Sequence, residues 1–250
     1  MEQLKIDLDT AGKQKDIAKL QKLELEMDHA NLKTVGMYNR LVRSYLWSDS
    51  IELAEQVLLG FEERELVPTT RTFTYLIQAY LKKNQLDKAK DLFLKMKDLS
   101  LHHRLRNEFD CSIMMKYYKE CGDSYALDFL WRDMMNHVDI VKPGVNTFTQ
   151  YLEHVLEEED RKLADISQLS QEFILTTQQQ QQDLNLHQYV TWMKVVKTLD
   201  DTQKAESLLL LLIKKAPPKI SWDIAKDAIK KILDSYLMKE QDLKTLQKMG

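Results

Sequence analysis

Apolar side chains along residues 71–96 recur every three or four positions, in two runs that polar residues at 84–85 separate. Phe73, Ile77 and Tyr80 fall on one face of a helix drawn through the first run. The second run carries a matching face, made of Leu86, Ala89, Phe93 and Met96. Each run therefore predicts a helix with one buried stripe, and the polar break predicts a reversal of the chain between them.

This hairpin has a copy immediately upstream, because residues 35–69 and 70–104 align without a gap. The aligned pairs, all 35 residues apart, are Tyr38 with Phe73, Leu41 with Leu76, Tyr45 with Tyr80, Ala54 with Ala89, and Phe61 with Met96. A single hairpin buries little apolar surface, whereas stacked hairpins share a continuous core. The period therefore predicts an all-α protein, a right-handed α-solenoid of stacked helix-turn-helix repeats. Only 6 glycines and 4 prolines among 250 residues also favour helices over a sheet with many turns.

Weaker copies of the pattern continue toward the C-terminus. The predicted units are 35–69, 70–104, 105–144, 145–185, 186–220 and 221–250, and together they form a repeat domain over 35–250. Residues 1–34 are predicted to form a helical cap or a partial repeat, in which 13–33 supply a second helix whose first helix is shortened or missing. The last unit is predicted to hold one more helix pair.

The repeat unit resembles that of the pentatricopeptide repeat family. An aromatic residue followed by Asn or Thr stands near the start of three units, as Tyr38-Asn39, Phe73-Thr74 and Phe148-Thr149. A small residue follows in the second helix at Ala54 and Ala89, and Pro68 lies one place before a unit ends. Tetratricopeptide repeats have nearly the same length, but their W…LG…Y signature is absent from this chain.

The resemblance implies a superhelix whose first helices line a groove for single-stranded RNA, one base per repeat. In that family the fifth and last residues of a unit contact the base edge, which implies the pairs Asn39 with Thr69, Thr74 with Arg104, Thr149 with Gln179, and Val190 with Ile220. The second position, usually Val or Ile, is here Gly36, Arg71, Asn146 and His187. Lys82 and Lys83 end a first helix where phosphate contacts are common. A positive stripe through Arg71, Lys82, Lys83, Arg104 and Arg106 would favour RNA.

The remaining composition restricts the function further. No apolar run reaches the roughly 18 residues that a membrane span needs, and the formal net charge is −3. Only two cysteines are present, which suits a reducing compartment. His102, His103, Cys111 and Cys121 lack the knuckle spacing of a zinc site, so we expect no metal, no cofactor and no catalysis. Trp131, Trp192 and Trp222 are more typical of core residues than of base-stacking platforms.

The leading hypothesis is an organellar factor that binds single-stranded RNA and acts in transcript processing, stability or translation. Family resemblance favours the mitochondrial matrix, although the start of the chain carries no arginine and reads as neither a secretory signal nor a transit peptide. The alternative is a protein-binding scaffold or a subunit of a ribonucleoprotein assembly, whose groove holds a peptide or helix instead of bases.

Overall fold

The computed structural model describes residues 2–30, 34–157, 163–178, 183–217 and 223–249, and all regular secondary structure in these ranges is helical. The helices are α1 (Glu2–Lys13), α2 (Ile17–His29), α3 (Val35–Trp47), α4 (Ile51–Leu59), α5 (Thr70–Lys82), α6 (Leu86–Asp98), α7 (Glu108–Glu120), α8 (Ser124–Asn136), α9 (Val145–Glu157), α10 (Leu163–Thr177), α11 (Leu186–Thr198), α12 (Thr202–Lys214) and α13 (Asp223–Met249). The predicted all-α repeat fold is confirmed.

The chain divides into two compact units, an N-terminal unit of Met1–Ala126 and a C-terminal unit of Leu127–Gly250. In the N-terminal unit, α1 packs on α2, α3 on α4, and α5 on α6, and the first helices α1, α3, α5 and α7 lie side by side. In the C-terminal unit, α9 packs on α10 and α11 on α12, while α9, α11 and α13 are neighbours. Each unit is thus a stack of hairpins in which the first helices form one layer.

The 35-residue period is visible in the backbone of the turns. Asp49 and Asn84 both adopt a left-handed conformation, with φ of 59° and 56°. Gly122 takes the equivalent place after α7, with φ of 69°. Asn, Asp and Gly are the residues that enter this region at least cost, and this explains why the chain reverses at these positions. The predicted break around Asn84 is therefore confirmed.

Several helices begin at a polar residue that caps them. The side chain of Asn107 accepts a hydrogen bond from the Asp110 backbone N–H at 3.0 Å, and that of Asn185 accepts one from the Gln188 N–H at 2.9 Å. Asp201 does the same for Lys204 at 3.2 Å. Such caps satisfy backbone donors that the first helical turn leaves free, so they help to fix where each repeat starts.

The N-terminal segment forms a complete helix pair, and this corrects one expectation. Its first helix is neither shortened nor missing, since α1 has 12 residues and packs on both α2 and α3. Arg64, which follows α4, joins α2 to the next hairpin: its Nη2 lies 2.9 Å from Glu24 Oε1, and its Nε lies 3.0 Å from Asp28 Oδ1. The same two carboxylates accept hydrogen bonds from the Tyr45 and Tyr38 hydroxyls.

The C-terminal unit has an aromatic core. Phe173 stacks on Trp192 with ring centroids 3.8 Å apart, and Trp131 stacks on Tyr151 at 4.5 Å. Trp131 and Trp192 are buried, as expected of core residues, whereas Trp222 lies outside the described residues. The predicted final helix pair is wrong, because α13 runs as one helix of 27 residues.

Candidate functional site

A groove of about 590 Å³ opens on the first-helix layer of the N-terminal unit. Its walls come from α3, α5 and α7, from the turns that follow α3 and α5, and from Ile51 at the start of α4. Most of the lining residues are either aromatic or basic. The full set is Arg43, Leu46, Trp47, Asp49, Ile51, Arg71, Tyr75, Gln78, Ala79, Lys82, Lys83 and Phe109. The groove therefore combines flat apolar rings with positive charge.

Trp47, at the end of α3, presents one of these rings. Its side chain remains 37% exposed. The Arg43 guanidinium lies 4.5 Å from the centre of the indole ring, and the Lys13 ammonium lies 5.6 Å from it. Both distances are within the range of cation–π attraction. The basic side chains thus hold the indole at the groove wall while leaving it accessible.

Arg71 organises the aromatic residues on the opposite wall. Its guanidinium lies 5.0 Å from the Phe109 ring centre and 5.6 Å from that of Tyr75. The two rings meet edge to face at 5.7 Å. Its Nε also forms an ion pair of 2.9 Å with Oδ1 of the buried Asp110. Burial alone would lower the pKa of Arg71, but the hydrogen bond with Tyr75 and the charge of Asp110 outweigh it and raise that pKa.

Within the part of the chain that the structure describes, the lysines at the end of α5 are the basic groups of the groove that form no ion pair. Arg43 is paired with Asp9, at 2.7 Å between Nη2 and Oδ1. Asp49 is paired with Lys15 at 2.5 Å, which lowers the pKa of this carboxyl and keeps it ionised. Lys82 and Lys83 are exposed and form no ion pair with any described residue. An anion entering the groove would meet these two ammonium groups first.

Comparison with known protein families finds a match in the segment that includes α5, one of the helices of this groove. Residues 71–101, which cover α5 and α6, match the PPR repeat. This segment is similar to a PPR repeat. The crystal structure of the pentatricopeptide repeat protein PPR10 from maize aligns with 92% of this chain at 16% identity and a TM-score of 0.46. This chain spans 31% of the length of that protein. No curated protein matches the chain.

The fifth residues of the first two PPR-like units already have partners inside the protein. Asn39 Nδ2 donates to Thr69 Oγ1 at 3.1 Å, and Asn39 Oδ1 accepts from Thr72 Oγ1 at 2.6 Å. Thr74 is fully buried and donates to Asp110 Oδ1 at 2.7 Å. None of these fifth residues lines the groove. They connect each first helix to the next one in the stack.

Thr149 is engaged in the same way within the C-terminal unit. It is buried, its hydroxyl donates to the Val145 carbonyl at 2.7 Å, and it accepts from Trp192 Nε1 at 3.1 Å. Its predicted partner Gln179 lies outside the described residues, as does Ile220, the predicted partner of Val190. In this unit, too, the fifth position serves the packing of one helix on the next.

The structure brings together only part of the predicted basic stripe. Arg71, Lys82 and Lys83 line one groove, whereas Arg104 and Arg106 are exposed in the connection between α6 and α7 and do not line it. The sequence reasoning missed the other residues that line the groove, among them Arg43, Trp47, Tyr75, Gln78 and Phe109. A signal for Arg43, Trp47 and Tyr75 was present, because Arg43 with Trp47, and Tyr75 with the predicted Arg71, are each spaced i, i+4 on a first helix.

No described helix is both long enough and apolar enough to cross a membrane. Among the described side chains, no group of three or more His, Cys, Asp or Glu residues converges as metal ligands do. Cys111 is buried in α7, and Cys121 lies at its C-terminal end.

Proposed function

We propose that this protein binds single-stranded RNA through the groove formed by α3, α5 and α7. The observation that carries the proposal is the combination of exposed Trp47 with the two unpaired lysines, Lys82 and Lys83, in one groove. Aromatic rings on which bases stack, placed beside cations that follow the phosphates, are the two elements of single-strand binding. The PPR repeat that forms one wall supports the same class of ligand.

The groove contains groups that can bind both the base and the phosphate of a nucleotide. Trp47 on one wall, and Phe109 with Tyr75 on the other, offer flat surfaces on which bases stack without regard to sequence. Lys82 and Lys83 extend from the end of α5, where the helix dipole also favours cations. Phosphate contacts at these lysines would orient the strand, and stacking would retain it.

The cellular role belongs to the same proposal and rests on the family resemblance. We place the protein in the mitochondrial matrix, where it would act in the processing, stability or translation of transcripts by binding and without catalysis. The alternative, protein partners in a ribonucleoprotein assembly, is favoured by the net charge of −3 and by second positions that are not Val or Ile. Imaging of the tagged protein, together with measurement of mitochondrial transcripts after its depletion, tests this role. Exclusion of the protein from mitochondria would refute the placement.

The binding test is a titration of labelled single-stranded RNA with the whole protein, followed by fluorescence anisotropy at low and high salt. We expect measurable binding at low salt that weakens as salt rises. Replacing Trp47→Ala should weaken binding roughly ten- to hundredfold, because a stacked base contributes about 1–3 kcal/mol. The matched control is Phe129→Ala, which removes an exposed aromatic ring on α8 outside the groove. Absence of binding at low salt refutes the proposal.

A further inference from the structure

Gln78 occupies the middle of the groove wall that α5 provides. It follows Tyr75 by three positions and precedes Lys82 by four, so these three side chains share one face of the helix. The residue is half-buried and lines the groove. Any base that stacks against Tyr75 would come within reach of this amide.

The Gln78 amide is the one neutral donor–acceptor group of the groove, among its described lining side chains, that has no partner in the protein. Arg43 pairs with Asp9, Asp49 pairs with Lys15, and Arg71 pairs with Asp110. The Gln78 side chain forms no hydrogen bond with any described residue. Both functions of this amide are therefore open to a ligand that enters the groove.

We propose that Gln78 reads the edge of a base in this groove and favours adenine. The inference rests on the proposed binding of single-stranded RNA and assigns its specificity to a residue outside the predicted base-contacting positions. A primary amide donates and accepts side by side, so it pairs in two hydrogen bonds with an edge that carries one acceptor next to one donor. Adenine presents that arrangement at N7 and the N6 amino group, and again on its Watson–Crick edge.

The other bases match the amide less often. Guanine carries two acceptors, O6 and N7, on its Hoogsteen edge, so it can complement the amide on its Watson–Crick edge, at O6 and N1–H, but not on the Hoogsteen edge. Cytosine and uracil offer a suitable pair of groups on the Watson–Crick edge only, and their single ring stacks on less of the Tyr75 surface. Adenine thus combines two usable edges with the larger stacking surface.

The fifth-position residues do not compete for this role. Asn39 already bonds to Thr69 and Thr72, and Thr74 is buried against Asp110. A base could reach them only after these contacts were broken. Base recognition in this groove therefore falls to Gln78, which needs no rearrangement.

The test compares short fluorescein-labelled RNAs of equal length made of adenosine, cytidine or uridine, titrated with the whole protein. We expect the adenosine strand to bind roughly tenfold more tightly than the other two. Gln78→Ala should reduce this preference to about twofold, the remainder that stacking alone supplies. Gln78→Glu keeps the size of the side chain but only accepts hydrogen bonds, so it should also lose the preference. The matched control Gln56→Ala changes an exposed glutamine on α4, outside the groove, and should retain it.

The outcomes distinguish the role of Gln78 from the proposed binding of RNA. Failure of all three strands to bind would refute RNA binding itself. Equal binding of the three strands, or an adenosine preference that persists in both Gln78 variants, would overturn the role of Gln78 while leaving RNA binding intact. A preference for another base would overturn the adenine assignment. Circular dichroism of each variant establishes that the helical fold is retained.

Discussion

Two lysines at the end of α5 should set much of the salt dependence of RNA binding. Lys82 and Lys83 line the groove and form no ion pair with any described residue, whereas Arg43 is paired with Asp9. The unpaired ammonium groups are thus the ones that would replace condensed counterions on the RNA. For a single strand, each phosphate neutralised contributes about −0.7 to the slope of log K against log salt.

The double change Lys82→Gln with Lys83→Gln should therefore reduce the magnitude of that slope by about 1.4. In terms of affinity, a rise in salt concentration of about fourfold should weaken RNA binding by the unaltered protein about sevenfold more than RNA binding by the variant. The assay is a series of anisotropy titrations across salt concentrations, with the slope obtained from the fitted dissociation constants. Both side chains are exposed, so the substitutions should leave the fold unchanged.

The control makes the same change of charge elsewhere. Lys90→Gln with Lys95→Gln alters two exposed lysines on α6 that do not line the groove. Their contribution is a screened long-range effect, because distances beyond a Debye length of about 8–10 Å weaken such interactions in ordinary buffers. A slope that stays unchanged in the groove variant, or that falls equally in the control, would refute the assignment of phosphate contacts to Lys82 and Lys83.

Three further predictions concern stability and titration. Thr74→Val removes a donor from buried Asp110 and should cost about 1–3 kcal/mol in urea unfolding; an unchanged midpoint contradicts it. Gly12→Ala would place a Cβ 2.8 Å from the Ser44 Cα. The resulting overpacking should lower the free energy of unfolding by about 1–3 kcal/mol, which exceeds the gain of about 1 kcal/mol from the higher helix propensity of Ala. A rise in stability of the variant would contradict this. Burial raises the pKa of Tyr118 from 10.0 to about 12, so stability should fall as pH rises between these values, when the unfolded phenol ionises first; phenolate absorbance appearing near pH 10 at this residue contradicts it.

The hairpin stack was predictable because its determinants repeat along the chain. Tyr38, Phe73 and Ala54 are buried as the apolar period indicated, and the turns fall where polar residues interrupt it. The N-terminal pair was harder to recognise. Residues 2–13 lack the aromatic residue of the later first helices. The need for glycine at position 12 is explained only by the close approach of Ser44 on α3, which leaves no room for a Cβ. A contact of that kind depends on how two helices cross.

The groove was predictable in part, for a similar reason. Lys82 and Lys83 could be identified because a polar pair at the end of a first helix is exposed in any such stack. Trp47 and Phe109 could not, since they belong to helices on either side of α5 and face one groove only after the three helices have packed. The second residue of a first helix also takes part in a contact between neighbouring helices that the sequence alone did not indicate. Phe109 is the second residue of α7, as Arg71 is of α5, and the two side chains stack on each other.

The polar fifth residue of the second unit, Thr74, is best explained by the burial of Asp110. This carboxylate is almost completely enclosed, and an enclosed charge is costly unless donors surround it. Thr74 and Asn107 donate hydrogen bonds to it, and the Arg71 guanidinium forms an ion pair with it. Thr74 lies 36 residues before Asp110, so the sequence alone shows a hydroxyl suited to a base but not the carboxylate that occupies it. Stacking of the repeats therefore decides which polar residues remain open to a ligand, and along α5 it leaves Gln78, Lys82 and Lys83.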